Sequence, residues 1–130
     1  MDEKTKYEWL KKVLLFNIFV AILLWGLPLW LAPKTFLTAL GITVPGDLFY
    51  MRIFGVTELA LAYLYYLAYQ NLSMNRDIIR FAVIVNAATL LTLVGYQLAY
   101  GIKDQAVWFS AVIMLFLAAA YYMLTPSTGT

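Results

Sequence analysis

The 130-residue chain contains neither cysteine nor histidine. Without cysteine it forms no disulfide and offers no thiolate to a metal ion or an iron–sulfur cluster. Without histidine it lacks the commonest ligand of haem and chlorophyll, and the side chain that most often carries protons near neutral pH. We therefore expect no metal site, no cofactor of the chain's own and no catalytic residue.

Charged residues are also scarce, at 12% of the chain, whereas hydrophobic residues make up 64%. The mean hydropathy is +0.80. A soluble domain of this size does not carry so many apolar residues, so we expect one integral membrane domain over residues 1–130. The net charge of +2 is too small to indicate a nucleic-acid partner.

Four apolar stretches have the length of a membrane-spanning helix, at ~1.5 Å per residue against a hydrocarbon core of roughly 30 Å. The predicted spans cover about residues 13–31, 48–69, 78–100 and 106–124. After the first span, Pro33 favours the start of a short interfacial helix over about residues 34–40, and Gly41 favours its end. An ordered loop is the alternative there. The predicted fold class is therefore all-α, an integral membrane four-helix bundle.

The first span follows a lysine-containing segment, as the apolar part of a signal peptide does. Its apolar run is too long and no small-residue cleavage motif follows, so we expect it to be uncleaved. Four spans put both termini on one side. Lysine and arginine accumulate on that side, in residues 4–12 and 76–80. The positive-inside rule then places both termini in the cytoplasm, and a prokaryotic cytoplasmic membrane fits best.

The second predicted span carries an acid, Glu58, near its middle. A lipid-facing carboxylate at that depth costs several kcal/mol, so Glu58 must face other helices. Residues at spacings of three and four extend the same face of the helix. This predicted inner stripe consists of Gly55, Glu58, Ala62, Tyr65 and Tyr69.

The predicted topology brings further polar residues to matching depths. Glu58 lies near the level of Thr89, with Asn86 about a turn further in, and Arg52 lies near the level of Gln97. These five residues form a candidate ligand-binding site, in which the acid binds a polar headgroup or moves a proton. In the alternative interpretation, a neutral Glu58 carboxyl is hydrogen-bonded to Asn86, Thr89 or a tyrosine and holds the helices in register. Arg52 is then an anchor at the membrane interface.

Two segments resemble a known family. The first is P-x-x-F-L-x-x-L-G-I from Pro33, followed by a proline turn that ends at Pro45, and the second is M-R-I-F-G-V-T-E-L-A-L-A-Y at residues 51–63. Together they resemble the small four-span DoxX-like membrane proteins. The resemblance implies a four-helix membrane bundle. Some relatives are associated with quinone-linked sulfur oxidation as subunits of larger enzymes, and many have no assigned activity. The matching residues are Arg52, Gly55, Ala60 and Ala62.

No nucleophile–base pair, phosphate-binding loop or metal-ligand spacing is present in the sequence. Aromatic residues are abundant on more faces than a four-helix interior can use. We therefore expect a non-catalytic accessory or structural subunit of a larger membrane complex, of the respiratory or photosynthetic electron-transfer class. Its partners are then membrane lipids and other membrane subunits, with a lipid, quinone or pigment bound at the surface.

The alternative function is that of a quinone- or lipid-binding DoxX-like membrane protein, with its polar site around Glu58 and Arg52. A transporter or channel is least favoured. One chain offers four short spans, a single acid at mid-depth and no repeat signature. Asn17, in the first predicted span, is interpreted as a packing residue.

Overall fold

Helices account for most of the chain in the computed structural model, which describes residues 2–42, 44, 46–101 and 104–125. No β-strand occurs in these residues. The first helical segment consists of α1 (Glu3–Phe19), a π-helical stretch (Val20–Gly26) and α2 (Leu27–Leu31). The remaining helices are α3 (Lys34–Ala39), α4 (Phe49–Gln70), α5 (Arg76–Tyr100) and α6 (Gln105–Leu124).

Within the described part of the chain, three helical segments are long and apolar enough to cross a membrane. They are Glu3–Leu31, Arg76–Tyr100 and Gln105–Leu124. The 22 residues of α4 provide sufficient length, but α4 is not among the three. Arg52, Glu58 and several tyrosines lower its mean hydropathy. The all-helical class and the apolar character of three predicted spans are thus confirmed, whereas the span expected at 48–69 is more polar than its neighbours.

The long helices run antiparallel to one another in chain order. A single buried cluster brings together Leu10, in the first third of the first helical segment, and Ala68 near the end of α4. Ile79 near the start of α5 and Tyr121 near the end of α6 belong to the same cluster. Such a cluster forms only if successive helices reverse direction. A second cluster, around Val20, Trp25 and Met114, fills the other half of the interior.

The π-helical stretch is explained by the proline that follows it. Pro28 has no amide hydrogen and its ring crowds the preceding turn, so the regular hydrogen-bond ladder is interrupted there. The backbone instead forms π-helical hydrogen bonds. The Leu27 amide, for example, donates to the carbonyl of Ile22, five residues back. The sequence indicates only a helix with a proline. The structure shows a widened turn before it.

The first helical segment and α4 approach so closely that their backbones touch at two glycines. A methyl carbon at Gly55 would lie 2.5 Å from the Trp30 amide nitrogen and 2.8 Å from the Gly26 carbonyl oxygen. Both neighbours are backbone atoms, which cannot swing aside. A methyl carbon at Gly26 would in turn meet the Leu59 side chain at 2.6 Å. The absence of a side chain at these two positions sets the distance between the helices.

The short helix α3 ends at Ala39, and Gly41 terminates it from the position after its C-cap, Leu40, as the sequence suggests. The amide of Gly41 donates to the Thr38 carbonyl and that of Ile42 to the Leu37 carbonyl. This pair of bonds is the Schellman motif, which requires a left-handed residue at the first position past the helix. Gly41 supplies it, with φ of +82°. Within α3 only Leu37 is buried.

Two aspartates fix the starts of helices. Asp2 accepts a hydrogen bond from the Thr5 amide, and hydrogen bonds from Thr5 hold the pKa of the Asp2 carboxyl below its usual value. Asp104 accepts from the amides of Ala106 and Val107 and so begins α6. Both contacts are N-caps, which supply partners for amide groups that lack one within the helix.

Candidate functional site

A small polar cavity lies in the interior, where all four long helical segments meet. Its volume is about 20 Å³. Glu58 of α4 lines it together with Asn86 and Thr89 of α5, so three of the five predicted site residues share one space. The full lining consists of Asn17, Trp25, Glu58, Leu61, Tyr65, Val85, Asn86, Thr89 and Met114.

The buried face of α4 brings Glu58 to this cavity. Gly55, Glu58, Ala62 and Tyr65 of the predicted stripe are buried, and Ala68 completes the buried face in the last turns. Tyr69, the fifth member of the predicted stripe, packs at the edge of the buried cluster. The spacing of three and four residues therefore predicted the inward face correctly, because such residues share one side of a helix.

Glu58 is 7% exposed as a residue, and its carboxyl group forms no hydrogen bond with the described residues. The Asn86 amide donates to the Ala82 carbonyl of its own helix, at 2.8 Å, rather than to Glu58. A cavity of this size admits one water molecule and excludes a quinone ring. The cavity can thus hold a hydrated acid.

Asn17, which was interpreted from the sequence as a packing residue, forms a hydrogen bond across the interior. Its amide nitrogen donates to the Tyr121 hydroxyl at 2.8 Å, and the two residues are 2% and 0% exposed. This bond joins the first and last long helices across the interior, beside the Tyr65 ring. The available signal was that Asn17 is the one amide in an otherwise apolar stretch, since an amide buried there needs a partner.

A second polar contact links the same two helices at the other side of the cavity. The Trp25 indole nitrogen donates to the Ser110 hydroxyl at 2.9 Å. Trp25 belongs to the π-helical stretch and is 8% exposed. Buried tryptophans commonly find such a partner for the indole N–H. The polar interior therefore consists of helix-to-helix bonds around a cavity that holds one acid.

Arg52 does not line the cavity. Its guanidinium nitrogen Nη1 donates to the Leu29 carbonyl oxygen at 3.0 Å. In a continuous helix that carbonyl would accept from the amide of residue 33, but residue 33 is a proline and has no amide hydrogen. Arg52 therefore supplies the missing donor and ties the end of α2 to α4.

Gln97 also makes a contact of its own. Its side-chain oxygen accepts from the Asp104 amide at 3.4 Å, and both residues are buried. Gln97 thus supports the turn between α5 and α6. The five predicted site residues divide into three around the cavity and two that satisfy backbone groups at helix ends. Among the described residues, no three carboxylate side chains come together as a metal site requires.

Replacement of Arg52 tests the role of this contact. Arg52→Ala leaves the Leu29 carbonyl without its charged donor, and we expect a loss of about 1.5–3 kcal/mol in the free energy of unfolding. Arg52→Lys retains a cationic donor and should lose less. The measurement is denaturant unfolding in detergent micelles, followed by circular dichroism. Lys34→Ala, which removes an exposed cation nearby in the chain, is the control, and equal losses in Arg52→Ala and Lys34→Ala would contradict the assignment.

The sequence matches no family model, no curated protein and no solved structure. The resemblance to DoxX-like proteins stays a prediction that rests on the residues quoted above.

Proposed function

We propose that this chain is a four-span integral membrane protein that acts as a non-catalytic accessory or structural subunit of a larger membrane complex. The expected complex is a respiratory or photosynthetic electron-transfer assembly. In this proposal α4 is the fourth span, both termini lie in the cytoplasm, and the protein belongs to a prokaryotic cytoplasmic membrane.

The direction of the polar side chains on α4 supports the proposal that this helix is inserted in the membrane. Glu58 is buried against the other helices, and Arg52 is bound to a backbone carbonyl. The outer face of α4 is apolar, with Ile53, Phe54 and Tyr63 all more than one-third exposed. A helix that turns its charges inward can lie in hydrocarbon although its mean hydropathy is modest. The direction of these side chains thus supports the proposed insertion of α4.

The distribution of cations supports the orientation. Antiparallel packing brings the start of α1 and the start of α5 to the same end. That end carries four lysines of α1 together with Arg76 and Arg80. Lysine and arginine are enriched on the cytoplasmic side of membrane proteins.

The closed interior is the observation that carries the proposed role. The cavity at the centre of the described helices has a volume of about 20 Å³, and two of its polar lining residues, Asn17 and Trp25, form helix-to-helix hydrogen bonds. The outer surface, in contrast, is rich in large apolar side chains. Of the most apolar stretch of α5, only 17% is buried. A chain that is filled inside and largely uncovered outside is suited to packing against other subunits.

The quinone- or lipid-binding alternative is less well supported. It requires Glu58 and Arg52 to serve one ligand, yet Arg52 contacts a carbonyl outside the cavity that Glu58 lines. The cavity is also far below the roughly 300 Å³ at which ligand pockets begin.

Gentle-detergent purification of the native protein, with mass spectrometry of the associated proteins and small molecules, tests the proposal. We expect stoichiometric recovery with a larger membrane complex, both for the wild type and for Glu58→Gln, which keeps the shape of the side chain. Deletion of the chain should reduce the amount of assembled complex on native gels. Recovery of the wild type alone with a bound quinone, lost in Glu58→Gln, would instead establish the alternative.

A further inference from the structure

A groove lies on the surface of the protein between α5 and α6, at the end that we propose faces the cytoplasm. Its volume is about 580 Å³. It is separate from the interior cavity and shares no residue with it. The residues that matter for its chemistry are Lys6, Arg80, Val83, Ile84, Tyr122 and Met123.

Two cations border this groove, and they come from different helices. Lys6 reaches it from α1 and Arg80 from the first turns of α5. No acidic residue among the described residues lines it. Arg80 forms an ion pair with Asp77 at 3.3 Å, but the two side chains are 59% and 93% exposed. Such exposed pairs are weak, so the guanidinium retains attraction for a second anion.

Apolar side chains form the walls of the groove. Ile84 lies one helical turn beyond Arg80 on the same face of α5, and it is 67% exposed. Met123 of α6 is 71% exposed. Ile84 thus extends the apolar wall one turn beyond Arg80, whereas Met123 lies near the end of α6, close to the level of the cations. Cations beside apolar surface match the charged headgroup and the hydrocarbon of an anionic phospholipid.

We propose that this groove binds one anionic phospholipid of the cytoplasmic leaflet. The lipid phosphate lies between Lys6 and Arg80, and an acyl chain lies along Val83, Ile84 and Met123. The inference rests on the proposed membrane insertion and orientation, but it does not depend on any partner subunit.

Lipid retention by the full-length chain tests the site. The protein is reconstituted in vesicles of equal parts phosphatidylglycerol and phosphatidylcholine, extracted gently, and examined by native mass spectrometry. We expect the wild type to retain one phosphatidylglycerol in preference to phosphatidylcholine. The double variant Lys6→Gln/Arg80→Gln should lower that preference about 30-fold, from the usual attraction of a basic residue to an anionic membrane surface.

A matched variant distinguishes a specific lipid-binding site from general attraction by surface charge. Lys4→Gln/Lys12→Gln removes the same charge from the same end, but neither residue lines the groove. We expect it to retain the wild-type preference. Equal losses in the two double variants, or no preference in the wild type, would overturn the proposal.

A second pair of variants tests the apolar wall. Ile84→Ser should reduce retention of phosphatidylglycerol, whereas Leu91→Ser, at a 73% exposed position of the same helix outside the groove, should not. An equal effect of both would overturn the acyl-chain contact. Failure of the protein to float with vesicles at all would refute membrane insertion itself, an outcome distinct from a vesicle-bound protein without lipid preference.

Discussion

Gly55→Leu is expected to separate the first helical segment from α4 and to lower the free energy of unfolding by about 3 kcal/mol, the upper range for overpacking. The added side chain would enter space that the Trp30 amide and the Gly26 carbonyl already occupy. Because these are backbone atoms, relief requires a shift of the whole helix. The shift would also break the contact of Arg52 with the Leu29 carbonyl.

The measurement for Gly55→Leu is unfolding by SDS titrated into mild detergent micelles, with tryptophan fluorescence as the probe. Trp25 and Trp30 lie in or beside the affected segment. Gly95→Ala on α5 is the control, since nothing lies within 4 Å of the added methyl group. It should be neutral or stabilising by about 0.5–1 kcal/mol, the helix preference of alanine over glycine. A tolerated leucine at position 55 would show that the close approach does not stabilise the fold.

Tyr121→Ala is expected to have the second large effect, a loss of about 3–5 kcal/mol. Tyr121 is fully buried in the cluster that joins all four long helical segments. Removal of its ring leaves a void in the buried cluster to which Leu10 and Leu14 also belong. It also removes the hydrogen-bond partner of Asn17, whose amide would then be buried without an acceptor.

One further variant isolates the contribution of the Tyr121 hydroxyl to the stability loss, and another serves as the control. Tyr121→Phe keeps the ring and removes only the hydroxyl, so the loss should be roughly 0.6–1.7 kcal/mol, as found for hydrogen bonds between membrane helices. Tyr122→Ala, at the adjacent position, which is 76% exposed, should change stability by less than about 0.5 kcal/mol. A similar loss at positions 121 and 122 would be incompatible with the described packing.

These two predictions concern the same property of the molecule. The first helical segment is held on one side by backbone contact with α4 and on the other by the Asn17–Tyr121 bond to α6. The cavity around Glu58 lies between these contacts. Unfolding of the Tyr121→Phe variant therefore also tests whether the Asn17–Tyr121 bond in the polar interior stabilises the fold.

Much of the candidate site was predictable from the periodicity of the chain. Spacing alone places Glu58 on the same face as Gly55, Ala62 and Tyr65, and antiparallel spans bring it near Asn86 and Thr89. These inferences succeed because helix geometry is uniform, so the face and the depth of a residue follow from its number.

Arg52 and Gln97 show what a match in depth leaves open. Depth matching predicted that the two residues serve one site, yet each satisfies a different backbone group. Arg52 compensates for the missing amide of Pro33 at the end of a neighbouring helix, and Gln97 supports the turn that precedes α6. Two residues at the same depth in the membrane meet only if their helices are rotated to face each other. Residue numbers alone do not give that rotation about the helix axis.

The sequence by itself determined the all-helical class, three of the apolar segments and the inward face of α4. Those properties depend on composition and on the 3.6-residue period, both of which are local. Only the tertiary structure decided that Asn17 donates to Tyr121, 104 residues away, and that Gly26 meets Gly55. It also decided the size of the cavity around Glu58, about 20 Å³. Such contacts depend on how helices rotate and approach one another, which is set by the packing of all their side chains together.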